Sequence, residues 1–125
     1  MKIKLPILTQ VMKDGDIQFT ETEAVFDIDT SVYSEERWEQ NFPALAEKEG
    51  LFQYIERIQE NAISDRVKVA SMLKAIFCFV ESSTVTTYKE FAQLFNFAVP
   101  EYTTRLVTQL KAAFELSIGG SSVKN

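Results

Sequence analysis

The sequence predicts an α+β domain, mostly α: an N-terminal β-hairpin followed by a compact bundle of four or five helices. Three observations lead there. Asp14-Gly15 stands between two runs that carry strand-forming residues, which is a hairpin signal. From about residue 44 onward, apolar side chains recur at spacings of three and four, the period of a helix. Pro43 and Pro100 stand where helices would begin, and Gly119-Gly120 where the last would stop. At 125 residues the chain has the size of one domain. Ten Phe and four Tyr supply large apolar side chains for its core. The expected organisation is a single domain over residues 1–118, with a hairpin region at 1–28 and a helical region at 31–118. Residues 119–125 read as a flexible tail.

Residues 2–8 read as a short strand, with Pro6 marking a sheet edge. A second strand reads over residues 17–28, interrupted by the polar Thr20-Glu21-Thr22-Glu23 run. A lone hairpin is marginal in water, so it must pack on helices or on another subunit. Ser31 or Ser34 is the expected cap of the next helix, and Glu35 and Glu36 suit its first turn. Pro43 limits that helix and suits the first turn of the following one, expected over residues 44–61. Leu51, Tyr54, Ile55 and Ile58 share its buried face, and Gly50 weakens it locally by about 1 kcal/mol relative to Ala, enough to permit a break there.

Ser64-Asp65 opens a helix expected to reach about Ser82. Val67, Ala70, Leu73, Ile76, Phe77 and Val80 form its broad apolar face, and Val69, Met72 and Phe79 carry apolar surface almost around it. A helix apolar on nearly every side is a central one. Thr87 caps a shorter helix over residues 88–95, with Phe91 and Phe95 four apart. Pro100 begins the last helix, striped by Tyr102, Leu106, Leu110, Ala113 and Phe114.

Charge is uneven along the chain. The net charge is −5; residues 1–65 hold 6 Lys/Arg against 14 Asp/Glu, and residues 66–125 hold 7 against 4. The acidic front half disfavours nucleic-acid phosphate, so no nucleic acid is expected as a partner. No run approaches the ~20 apolar residues that span a bilayer, and the N-terminus lacks the pattern of a signal peptide. No membrane partner is expected, and the expected location is the cytoplasm.

No enzyme is expected. Histidine is absent, which removes the commonest general base and metal ligand. Cys78 is the single cysteine, set in the apolar AIFCFV run, and reads as a core thiol. No Gly-rich phosphate loop is present, and Asp27-x-Asp29 lacks the Gly and closing Glu of a calcium loop. No catalytic residue, metal site or cofactor follows. The acids Glu35, Glu36, Glu39, Glu47 and Glu49 read as a solvated helix face.

Four aromatics are candidate protein-interaction residues. Trp38, the only tryptophan, shares a helix face with Phe42; it suits a core position or, alternatively, an interface anchor. Phe52 is a candidate for lining a groove between helices. Phe97 lies in a loop beside Pro100, a candidate contact or a side chain dipped into the core.

The segment FDIDTSVYSEERWEQNFPALAEKEGLFQYIERI at residues 26–58, with LKAIFCFVES after it, resembles tail assembly chaperones of long-tailed phages with non-contractile tails, those of Gram-positive hosts in particular. The resemblance lies in a D-x-D-T-S turn, an S-x-E-R-W-E-x-N-F-P helix end, an L-F-x-Y-I-E-R-I helix and an L-K-A-I-x-C-F helix. It spans residues 26–82, about half of the chain; the hairpin and the last helices are outside it.

The resemblance implies a small, largely helical, non-enzymatic protein in the cytoplasm of the infected host cell. It would bind the tape measure protein, a long helical chain prone to aggregation. It would keep that chain soluble until tail tube protein, the major tail protein, polymerises around it. It would be absent from the mature virion. Family members are often also made in a longer form through a −1 ribosomal frameshift; the Lys124-Asn125 pair permits AAA-AAC codons, on which such a shift can occur. A homo-oligomer is expected from the hairpin's edges and the opposite charge of the two halves. Two other readings compete: a structural tail or connector protein of the virion, and an acidic DNA-mimic inhibitor.

Overall fold

The Asp14-Gly15 pair closes a two-residue hairpin turn, with φ of 52° at Asp14 and 83° at Gly15. Two successive positive φ values are the type I′ turn, whose twist matches that of paired strands. Glycine takes such a φ without a Cβ penalty, and Asp tolerates it better than most residues. In the computed structural model, which describes residues 1–60, 64–82 and 84–118, this turn joins strand β1 (Lys2–Lys13) to β2 (Asp16–Ile28). The pairing runs without a bulge from Lys2↔Asp27 to Lys13↔Asp16.

Both strands exceed their sequence expectation. β1 does not stop at Leu8, and Thr20 to Glu23 lie within β2. The polar run is no break: Thr20 to Glu23 are all exposed, so no alternation marks them, yet they pair across the hairpin with Pro6 to Thr9. Nearer the body, Ile3, Leu5, Phe26 and Ile28 are buried.

Helix α1 (Tyr33–Asn41) follows. Neither serine takes its capping position: Val32 does, without a side-chain bond. Ser31 accepts from the Tyr33 N–H at 3.3 Å, and Ser34 is buried, donating to the Ser31 carbonyl at 2.8 Å. Pro43 opens the single turn α2 (Pro43–Ala46). The chain then breaks around Gly50 before α3 (Leu51–Glu60), so the helix expected over 44–61 is two. Leu51, Tyr54, Ile55 and Ile58 are its buried residues, as its spacing requires.

Helix α4 (Asp65–Phe79) is capped by Ser64, whose hydroxyl accepts from the Val67 N–H. It buries eight residues, including the unbroken run Ala75 to Phe79, so it is enclosed on every side at that end. It packs against α1, α3 and both later helices, α5 (Tyr88–Ala92) and α6 (Pro100–Ile118). Val67 does not join its buried face: it is 52% exposed, one turn from the helix start.

The helix expected to reach Ser82 ends at Phe79. Val80 turns extended (φ −74°, ψ 130°) and, with Glu81, forms β3 (Val80–Glu81). β3 pairs antiparallel with Asp27 and Ile28, and the Asp29 N–H continues the ladder to the Phe79 carbonyl at 2.7 Å. The helical pattern at Phe77 and Val80 is overridden because strand pairing satisfies backbone groups that a longer helix would leave unmet on β2. The hairpin thus becomes a three-stranded antiparallel sheet in the order β1-β2-β3.

Thr87 and Glu90 form a capping box at the start of α5. On α6, the expected stripe of Tyr102, Leu106, Leu110, Ala113 and Phe114 is buried. The fold is α+β, with six helices among the described residues where four or five were expected. Asn61 and Ser83, the stop at Gly119-Gly120, the tail at 119–125 and the Lys124-Asn125 pair lie outside the described residues.

Candidate protein-interaction site

Two of the four candidate aromatics are structural. Trp38 is fully buried. Its ring lies 4.6 Å from that of Tyr54 and 5.5 Å from that of Phe42, and its Nε1–H donates to the Glu49 carbonyl at 3.0 Å. Of the two roles open to Trp38, the structure places it in the core, where the hydrogen bond satisfies its polar edge. Phe42 is half-buried and meets Tyr88 edge to face at 5.1 Å. Together they tie α1 to α3 and α5.

The other two are open. Phe52 is 38% exposed on α3, its ring 6.1 Å from that of Phe79. Phe97 is 37% exposed in the segment between α5 and α6, with the Arg66 guanidinium 5.5 Å over its ring. No ring contact joins Phe52 to Phe97 among the described residues, so the structure does not gather the four candidates into one patch.

A cleft of about 370 Å³ opens instead between α1 and the segment from β3 to α5. Tyr33, Arg37, Phe77, Val80 and Val85 are among its walls, and none of the four candidates lines it. Arg37 is held there by three groups. It donates to the Cys78 carbonyl at 3.0 Å, lies 3.7 Å from the Asp29 carboxylate, and stacks 4.6 Å over the Tyr33 ring. Tyr33 itself is 46% exposed. The sequence reading passed over this pair, although Tyr and Arg four apart on a helix are neighbours that stack.

The acids are not uniformly a solvated face. Glu35 reaches from α1 to the start of α3 and accepts from the Leu51 N–H at 3.1 and 3.2 Å. That placement meets an unpaired donor and the positive end of the helix dipole. Glu49 accepts from Arg57 at 3.0 Å. Glu36, Glu39 and Glu47 are exposed as expected. Asp27 and Asp29 are engaged too. Lys2 bonds to Asp27 and lowers its carboxyl. The Ser31 N–H, then its hydroxyl, lower Asp29, with Arg37 adding a smaller pull. Among the described residues no group of three or more His, Cys, Asp or Glu is placed to hold a metal ion. No described helix is long and apolar enough to cross a membrane.

Exposed apolar side chains also lie on the hairpin, where the sequence reading proposed no candidate. Met12, Ile17 and Val25 are 65%, 57% and 53% exposed. Met12 and Ile17 are cross-strand partners. Residues 9–18 are exposed on both faces, so this end of the hairpin stands away from the body as an arm. No family model matches the chain, and no curated protein or solved structure matches it either.

Proposed function

We propose that this chain is a non-enzymatic tail assembly chaperone of a long-tailed phage with a non-contractile tail. In this reading it binds the tape measure protein in the host-cell cytoplasm, keeps it soluble, helps recruit tail tube protein, and is absent from the mature virion. The resemblance over residues 26–82 motivates the proposal. The observation that supports it is the set of aromatics left open on the helical layer: Phe52, Phe97 and, at the mouth of the cleft, Tyr33. Amphipathic helices of a client lay their apolar faces on such positions. The exposed acids beside them keep the complex soluble.

A helical body with a protruding arm also suits a structural tail or connector protein retained in the virion. Mass spectrometry of purified particles separates the two, because a chaperone is missing from them. The DNA-mimic reading is disfavoured by Glu35, Glu49, Asp27 and Asp29, whose carboxylates serve internal partners instead of forming a phosphate-like array.

Co-expression with a helical tape measure fragment tests the function. The fragment stays soluble in the presence of this chain and precipitates in its absence. Equal solubility in both cases removes the chaperone reading.

A further inference from the structure

The cleft beside α1 holds backbone and side-chain groups that nothing in the fold uses. The Asp29 N–H donates to the Phe79 carbonyl, and Glu81 stands opposite Asp27. By the alternation of an antiparallel ladder, Phe79 and Glu81 turn their backbone groups toward β2, while Val80 and Ser82 turn theirs away from it. The Val80 N–H is spent on the Phe77 carbonyl. The Val80 carbonyl and the Ser82 N–H have no backbone partner among the described residues, and both residues line the cleft. An acceptor and a donor at this spacing are what an added strand pairs with.

Arg37 closes one end of that edge. Its Nη1 donates to the Cys78 carbonyl at 3.0 Å, bridging α1 to α4 just before β3 begins. Its Nη2 lies 3.7 Å from the Asp29 carboxylate, beyond hydrogen-bond reach. A guanidinium carries five N–H donors, so Arg37 has donors to spare among the described residues. Its side chain is only 17% exposed. An anion brought to those donors meets them largely out of water, where a charge-assisted bond is strong. Two acids stand near. Asp29 accepts from the Ser31 N–H at 2.9 Å. Glu81 follows the inward-facing Val80, so it lies on the solvent face of the sheet with Asp27 and Lys2.

A strand added here cannot run on past Val80, because the contact between Arg37 and Cys78 closes the edge there. A chain end fits where an internal segment does not. We propose that the cleft captures the free C-terminus of a partner protein whose last residue is apolar. The end pairs antiparallel with the outer edge of β3. Its last N–H donates to the Val80 carbonyl, and the carbonyl two residues earlier accepts from the Ser82 N–H. The terminal carboxylate then lies toward Cys78, on the spare N–H groups of Arg37. The last side chain, opposite Val80, shares its face and meets the cleft walls Phe77 and Val85. The site takes a chain end and not the apolar face of a helix, so it does not rest on the tape measure reading.

Fluorescence anisotropy on the full chain tests it, with fluorescein-labelled hexapeptides that end in Val, Leu or Phe and a free carboxylate. Saturable binding is expected below about 1 mM. Amidating the same peptides weakens it roughly tenfold, because a charge-assisted bond is lost. Methylating the last peptide nitrogen weakens it roughly three- to tenfold, because the bond to Val80 is lost. Arg37→Gln erases the preference for carboxylate over amide, and Arg37→Lys keeps part of it. If Arg37→Gln unfolds the chain, as far-ultraviolet circular dichroism would show, the amidated and methylated peptides still decide the matter on the unaltered protein. Absence of saturable binding, equal affinity for acid and amide, or indifference to methylation overturns the proposal. So does equal binding of an amidated peptide with an internal glutamate, which would give the guanidinium to an acidic side chain.

Discussion

The hydroxyl of Tyr102 on α6 donates a 2.8 Å hydrogen bond to the carbonyl of Pro6 on β1, joining the two ends of the fold. Tyr102 is fully buried, and burial raises its phenol well above the ordinary range. Pro6 is suited to its place because its ring nitrogen faces out from the sheet edge, where no ladder donor is lost. Tyr102→Phe keeps the ring and strands the carbonyl. It should cost about 1–3 kcal/mol in urea unfolding, the range for a polar group left unmet. A loss below about 0.3 kcal/mol, well under that range, would mean that water replaces the hydroxyl.

Phe77 tests the centre of the fold. It is nearly buried on α4, with its ring 5.8 Å from Tyr88 and 5.6 Å from Phe91. Phe77→Ala removes both contacts and leaves a cavity, which should cost about 3–5 kcal/mol. Val67→Ala, on the same helix but half exposed, should cost less than about 1 kcal/mol, as surface substitutions do. Equal losses at the two positions would refute this account of the helix.

The contrast between Phe77 and Val67 also shows what was legible in the sequence. Spacing of three and four identified the buried face of α3 residue by residue and most of that of α6, where Thr103 and Val107 are buried as well, because burial of a helix imposes that period. It failed at Val67, since periodicity does not reveal that the first turn of a helix has left the core. It failed again at Val80, where two residues of strand are too few to carry a pattern and happen to continue a helical one. The middle of β2 is illegible for a different reason: Thr20 to Glu23 are all exposed side chains, and alternation appears only where one face of a strand is buried. Among the candidate interaction residues, Trp38 was undecidable by residue type, since core and interface both favour tryptophan. What decides it is the Glu49 carbonyl, eleven residues away.

Glu90 predicts part of the acid limb of stability. Its carboxyl is held below the ordinary range, first by the Thr86 N–H, then by the Thr86 hydroxyl and the Thr87 N–H. Asp27 and Asp29 are lowered as well. A carboxyl lowered on folding contributes stability that is fully present above its unfolded value of about 4 and is lost as pH falls through the folded value. The thermal midpoint should therefore drop below about pH 4, and Glu90→Gln should flatten that drop. Parallel curves for the two proteins would show that Glu90 carries none of it.

Cys78 should be silent until the protein opens. It is fully buried, and its thiol is pushed up to about 12, chiefly by burial. The thiolate is the reactive form, so alkylation at pH 8 should be slow in the folded protein and fast in denaturant. An acid raised on folding contributes stability that is present below its unfolded value, about 8.5 for a thiol, and lost as pH rises toward the folded one. Cys78→Ala should therefore reduce the alkaline loss of stability above about pH 8.5. Rapid labelling of the native protein would show that the α4 end breathes.

Phe52 and Phe97 can be tested apart from stability, which Trp38 cannot. Both are more than a third exposed, so Phe52→Ala and Phe97→Asp should shift unfolding by no more than about 1 kcal/mol. The aspartate would lie near Arg66, which now stacks on the ring, so the cation keeps a partner. If these rings receive the apolar face of a client helix, both variants should lower the soluble yield of a co-expressed tape measure fragment. Their own yield should be unchanged. Trp38→Phe should do the reverse. It removes the bond to the Glu49 carbonyl and loosens the link between α1 and α3, yet it leaves the surface intact, so client solubility should follow the folded fraction alone. A fragment that stays soluble with Phe97→Asp and Phe52→Ala combined would move the client site away from these rings and toward the cleft at Tyr33.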